Sequence, residues 1–174
     1  FLQLLAEGRE FQQIRDYAGW TLHAAKAMGV KVVNPGGISA FKFNQLGMRC
    51  ITSEISEKNS AFALTLTPQD VLLLISNSGK SRRLNQMAQT ARDNGVPVVL
   101  ITCDRSSPLA QLADHLLIST NREQLITTTD FALSRISAIV IIEVLYNFLL
   151  VGRPGAKGFV SRHEGLMAHD KDVL

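Results

Sequence analysis

A chain of 174 residues with 46% hydrophobic and 19% charged side chains is sized and balanced for one globular domain with its own core. A formal charge of +3, with the basic residues spread along the chain, is too mild to argue for nucleic acid, and Arg82-Arg83 reads as a solvated helix face. Cys50 and Cys103 are the sole cysteines and sit in neither a metal-type nor a CxxC spacing, which suits a reducing, cytoplasmic compartment better than a disulfide scaffold.

The segment from Phe1 to about Lys26 carries Leu2, Leu4, Leu5, Phe11, Ile14, Tyr17 and Leu22 at mostly helical spacing and is expected to pack outside a sheet. No signal-peptide pattern opens it, and the missing initiator methionine points to a piece of a longer chain. Apolar, β-branched runs then alternate with helix-period segments. That alternation predicts a parallel sheet flanked by helices, with strands at Val30–Asn34, Met48–Thr52, Val71–Ser76, Pro97–Cys103 and His115–Ser119. Helices are expected at about 55–63, 80–94, 107–113 and 128–151, with turns at Thr67-Pro-Gln-Asp70 and Asp93-Asn-Gly-Val-Pro97. Ser137, Glu143 and Asn147 interrupt the apolar run 136–151, so it reads as a core or interface helix and not a membrane span. The stretch after Gly152 has few apolar anchors and is expected to be poorly ordered or to reach a neighbour. The expected organisation is a helical segment at 1–26, a domain at 27–152 and a tail at 153–174.

The feature richest in chemistry is Val71-Leu-Leu-Leu-Ile-Ser-Asn-Ser-Gly-Lys-Ser81, an aliphatic run that ends in small hydroxyl residues around a glycine and enters a polar helix. Such a strand end brings the hydroxyls of Ser76, Ser78 and Ser81 to the N-terminus of a helix. There the unpaired amides and the positive end of the macrodipole favour an anion the size of phosphate. A single serine before a helix is an ordinary cap. Three serines with Asn77 and Gly79 within six positions exceed what capping requires. Lys80 either strengthens the attraction or points into water. A second loop, Asn34-Pro-Gly-Gly-Ile-Ser-Ala40, follows the first expected strand at the same carboxyl edge, so Ser39 and the serine cluster are expected to share a ligand at a switch point of the sheet. Gly36-Gly37 alone would equally serve a tight turn.

Ser76-Asn-Ser-Gly-Lys-Ser81 and the later Ser107-Pro-Leu-Ala-Gln-Leu-Ala-Asp114 together resemble the SIS (sugar isomerase) domain over roughly residues 30–150. The resemblance implies a three-layer, doubly wound, five-stranded α/β sheet of flavodoxin-like type. It also implies that Ser39, Ser76, Ser78 and Ser81 hold the phosphate of a phosphosugar. Read from the residues themselves, Asn77 and Gly79 complete the candidate site, and Gly37, Lys80 and Arg135 are further candidates, Arg135 at the start of the long helix being equally suited to a surface or capping role. Ser134-Arg-Ile-Ser-Ala-Ile-Val-Ile-Ile-Glu-Val-Leu-Tyr146 is similar to the closing helix of RpiR-type transcriptional regulators. The chain would then be their effector-binding, dimerising half, and DNA would be contacted through a helix-turn-helix domain outside these residues. One departure is that only Phe41 to Leu46 separates the Ser39 loop from Gly47. That is under about two turns of helix, where a parallel crossover needs about a dozen residues, so roughly two turns are expected to be missing.

SIS domains also occur as isomerases and as etherases, chemistry that needs an acid or base beside the sugar carbon. The candidates are Glu54, Glu57 and Asp104, each of which also reads as a surface residue. His23, His115, His163 and His169 form no metal-ligand spacing, and no cofactor is implied. Lysine follows Gly79 where many phosphosugar isomerases resemble one another in carrying an acid, which favours a non-catalytic sensor. There is no Gly-x-Ser-x-Gly elbow, and Leu74 stands where a Walker loop needs its first glycine. A purely assembling module is the third class, motivated by the long apolar helix.

Overall fold

The computed structural model describes residues 31–32, 37–53, 55–119 and 133–169. Four strands, β1 (Lys31–Val32), β2 (Leu72–Ile75), β3 (Val98–Thr102) and β4 (His115–Ile118), form one sheet in the order β1-β2-β3-β4. Every pair is parallel, with Val32 opposite Leu73, Leu73 opposite Val99 and Val99 opposite His115. Parallel pairing makes the chain cross over between strands, and the helices α1 (Gly37–Gln45), α2 (Ser56–Leu64), α3 (Arg82–Asp93) and α4 (Pro108–Leu112) lie in those crossovers. The helices α5 (Leu133–Gly152) and α6 (Ala156–His169) follow β4.

The two-residue period of the strands divides the core into two layers. Leu73, Val99, Ile101 and Leu117 face one way and pack with Phe43 and Leu46 of α1 and Ala138, Ile142, Leu145 and Leu149 of α5. Leu72, Leu74, Val98 and Leu100 face the other way, onto Ala63 of α2, Leu84, Met87, Ala88 and Ala91 of α3, and Leu109 of α4. Both faces of the sheet are therefore covered, as parallel sheets require, and the central strands are apolar on both sides.

Local sequence sets the helix ends. Ser81 caps α3 by accepting from the Leu84 amide at 3.5 Å. At the other end Gly95 takes φ +70°, its amide bonds the Arg92 carbonyl at 2.9 Å and Val96 N bonds Ala91 O at 2.8 Å. This is the Schellman closure that a glycine after the last turn permits. Ser107 and Pro108 open α4 as N-cap and first residue.

Two expectations are corrected. Met48–Thr52 forms no strand, so the sheet has four strands among the described residues where five were expected. The backbone of Cys50, and that of Ser53 just beyond the segment, is engaged by asparagine side chains instead of by a neighbouring strand. Asn44 Oδ1 accepts from Cys50 N at 2.9 Å, while Asn59 accepts from Ser53 N at 3.0 Å and donates to Ser53 O at 2.7 Å. The chain changes from one face of the sheet to the other across this segment. Residues 156–169 are also ordered: after a bend of 109° at Arg153-Pro154-Gly155 they form α6, whose Ala156 is buried and whose Phe159 lies against Gly47. The helix preceding Gly47 begins at Gly37 and has nine residues, about two and a half turns, so it is longer than the span from Phe41 to Leu46 alone. The segment 1–26 and the first residues of the expected helix 128–151 lie outside the described residues. Among those described, no single helix is long and apolar enough to cross a membrane.

Candidate functional site

Parallel neighbours end at the same edge, so the carboxyl ends of β1, β2, β3 and β4 lie on one side of the sheet. From β2 come Ser76, Asn77, Ser78, Gly79, Lys80 and Ser81, which reach the first turn of α3. From β1 the chain enters α1, with Gly37 as its first residue and Ser39 in its first turn. Arg135 lies in the first turn of α5. The fold thus brings the Ser39 and Ser76 segments to adjacent strand ends.

Within the β2 loop each polar group has a definite position. Ser76 N donates to Ile101 O at 2.9 Å, extending the β2–β3 ladder by one residue. Ser76 Oγ accepts from Gly79 N at 3.2 Å, closing the turn. The Asn77 carbonyl accepts from Cys103 N and from Thr102 Oγ1, both at 3.0 Å. The Gly79 carbonyl accepts from Leu109 N at 3.3 Å and from Asn85 Nδ2 at 3.4 Å, and Asn85 Nδ2 also reaches Ser81 O at 2.8 Å. Ser76 and Ser81 serve the backbone only as acceptors, so each hydroxyl keeps its hydrogen to donate. Ser78 and Lys80 are exposed. The capping and anion-binding descriptions of these serines are therefore compatible.

The electrostatics point the same way. The first turn of α3 contains no acid and begins Arg82-Arg83, with Lys80 just before it. Cations at the positive end of a helix dipole are unfavourable by themselves and become favourable when an anion sits between them. Arg83 is partly offset by Glu57 at 3.6 Å, an exposed pair.

Of the acids considered for chemistry, Asp104 follows β3 at the same edge. Its carboxylate accepts from Ser106 Oγ at 2.6 Å and from Ser106 N at 2.9 Å. Those bonds, with a smaller pull from Lys80, hold it below the usual carboxylate range. Glu57 faces Arg83 on the surface, and Glu54 lies outside the described residues. Among the described residues, no group of three or more His, Cys, Asp or Glu is arranged to hold a metal.

Sequence reasoning missed the supports of the loop. Thr102, Ser107 and Asn85 are neither charged nor part of the serine cluster, and Thr102 reads as an ordinary β-branched strand residue. Ser107-Pro108 is legible as a helix start, but its contact with Gly79 is tertiary.

A parallel sheet with helices on both faces and a hydroxyl-rich loop leading into a helix at its carboxyl edge defines an α/β domain with a candidate anion site at that edge. The chain belongs to the SIS domain family, whose model matches residues 35–146. It is 33% identical over 115 residues to an uncharacterized HTH-type transcriptional regulator of Thermotoga maritima, a match covering 66% of this chain and 41% of that protein. It is 32% identical over 93 residues to a phosphoheptose isomerase of Mycobacterium bovis, covering 51% of this chain and 47% of that one. The chain thus spans less than half the length of these curated relatives. Its fold is shared with the Vibrio vulnificus NanR protein complexed with ManNAc-6P, at TM-score 0.75 and 24% identity over 87% of this chain and 60% of that one. It is shared also with the sugar isomerase domain of an RpiR transcription factor from Sphaerobacter thermophilus, at TM-score 0.72 and 21% identity over 94% of this chain and 90% of that one.

Proposed function

We propose that this chain is the phosphosugar-sensing effector domain of an RpiR-type transcriptional regulator, that it also dimerises, and that the regulator's DNA-reading helix-turn-helix lies outside these residues. The observation that carries the proposal is the Ser76–Ser81 loop, with free hydroxyl hydrogens beside a helix N-terminus whose first turn is basic. Ser39, Ser76, Ser78 and Ser81 would grip the phosphate, with Asn77 and Gly79 shaping the turn. Lys80, Gly37 and Arg135 are the secondary candidates. Support for a regulator comes from the Thermotoga maritima relative, and a phosphosugar ligand suits the fold shared with NanR, which was solved with ManNAc-6P. The whole protein is expected in the cytoplasm.

The likeness to phosphoheptose isomerase favours a second reading, catalysis on a phosphosugar. A general acid must be protonated at working pH, and Asp104 is held ionised by Ser106, which weighs against that role. Proton and phosphorus NMR of the chain with hexose, pentose and amino-sugar phosphates separates the two. Line broadening with no new sugar signal over hours is the expected result for a sensor. An isomer or cleavage product would establish the enzyme instead.

A further inference from the structure

Thr102 is fully buried at the end of β3, an unusual place for a hydroxyl. Its Oγ1 donates to Asn77 O at 3.0 Å and accepts from Asp104 N at 3.3 Å, so donor and acceptor are both used and the group has one orientation. The Asn77 carbonyl receives a second bond, from Cys103 N. It is therefore turned firmly toward β3. Peptide bonds in the described residues are trans, and in a trans peptide the N–H lies antiparallel to the preceding carbonyl. Turning Asn77 C=O toward β3 aims Ser78 N–H away from β3, on the side of β2 where β1 and the start of α1 lie.

The same construction recurs two residues on. Asn85, one turn into α3, reaches back with its amide to the carbonyls of Gly79 and Ser81, and Leu109 N adds a bond to Gly79 O. With Gly79 C=O drawn inward, Lys80 N–H is directed outward. Ser76 Oγ meanwhile takes Gly79 N–H out of use. The loop is thereby sorted into amides spent inside and amides presented outside. The sorting is done by side chains from β3 and α3 that need touch no ligand.

We infer that Thr102 and Asn85 are positioning residues of the anion loop, which fix the Ser78 and Lys80 amides as preorganised donors to the phosphate. The inference rests on the phosphosugar reading and specifies how affinity is generated there. Preorganised donors are worth more than mobile ones because their ordering cost is met during folding, before the ligand arrives.

The test compares Thr102→Val, Thr102→Ser and Asn85→Ala with the unmodified chain, and uses Leu145→Ala as a stability control on the opposite core layer. Calorimetry with glucose 6-phosphate, fructose 6-phosphate, N-acetylmannosamine 6-phosphate and inorganic phosphate gives affinity, and urea unfolding gives stability. Backbone amide NMR follows Ser78 and Lys80. The expected result is about tenfold weaker binding in Thr102→Val and in Asn85→Ala, recovery to within about twofold in Thr102→Ser, and unchanged affinity in Leu145→Ala despite its lower stability. Phosphate should shift the Ser78 amide proton downfield in the unmodified chain and much less in Thr102→Val. Equal affinity and equal Ser78 shifts in Thr102→Val and the unmodified chain would overturn the inference while leaving the phosphosugar site standing. So would losses in every variant that simply track stability. Failure of the unmodified chain to bind any of the four probes would overturn the phosphosugar reading and the inference with it.

Discussion

A β-carbon on Gly79 would stand 2.1 Å from Ser107 Oγ and 2.5 Å from Ser107 Cβ. Ser107 is buried and cannot move aside, because it caps α4 by accepting from Ala110 N at 3.3 Å. Gly79 also holds φ +60°, where side chains are strained. Two independent constraints thus require glycine at the centre of the anion loop: the close approach of Ser107 from the β3–α4 turn, and the positive φ of the loop itself. Gly79→Ala should cost roughly 2–4 kcal/mol and weaken phosphosugar binding together with stability. Combining it with Ser107→Gly should return part of that loss in urea unfolding, since the collision is removed and the backbone strain is not.

The serines divide by what else they hold. Ser81 caps α3, so Ser81→Ala should cost about 1 kcal/mol of stability in addition to any loss of affinity. Ser78 is exposed, and Ser78→Ala should leave stability within about 0.5 kcal/mol while still reducing phosphosugar affinity. Urea midpoints and calorimetric affinities, measured on both variants, check the contrast. Equal effects of the two substitutions on both quantities would contradict it.

These elements show what was legible in the sequence. β2, β3, β4, α2, α3 and α4 fall within about two residues of their expected spans, because their signals are local: aliphatic runs, Ser81 and Ser107 as caps, Gly95 as a stop. The serine loop was legible for the same reason. Met48–Thr52 misled because apolar composition does not reveal that Asn44 engages the Cys50 backbone and Asn59 that of Ser53 just after it. Helix α6 was missed because it buries little: Phe159, Leu166 and Met167 are largely exposed, and Gly158 and Gly165 lower its propensity. Thr102 was invisible as a site residue because its role depends on which strand lies beside β2.

Cys50 gives a prediction in pH. Burial pushes its thiol from the ordinary 9.0 up to about 12, against the pull of the Arg153 guanidinium. Below about pH 9 the thiol is neutral in folded and unfolded chains alike. Between 9.0 and about 12 the unfolded chain loses the proton that the folded chain keeps, so stability falls as pH rises through that window. Cys50→Ala should flatten this part of the stability profile. Native Cys50 should also react slowly with iodoacetamide at pH 8, since the thiolate is the nucleophile.

Lys42 connects the helix that carries Ser39 to α5, pairing with Glu143 and lying 4.8 Å from the centre of the Tyr146 ring. Both charges keep some exposure to water, so the pair is worth at most about 1 kcal/mol, and Lys42→Met should show a loss of that order. The loss should shrink at high salt, to the extent that it comes from the ion pair. Phosphosugar affinity measured in the same variant reports whether the attachment of α1 to α5 matters for Ser39.

The outward side of α5 bears on assembly. At about 100° per residue, Val140 and Val151 lie opposite the buried stripe of Ala138, Ile142, Leu145 and Leu149, with Ile139 and Phe148 flanking them. These four apolar side chains are exposed, Val151 at 79%, on a helix whose other face is already committed to the core. Water contact along such a helix is relieved if a second copy packs there, as the proposed dimer would have it. Val140→Asp and Phe148→Glu should each shift sedimentation from dimer toward monomer, because a charge in an isologous contact is met by its own copy. Phosphosugar binding should in turn move the dimer's dissociation constant, since a ligand that prefers one arrangement is linked reciprocally to it. A chain that sediments as a monomer before substitution, or as an unchanged dimer after both substitutions, would remove α5 as the assembling surface.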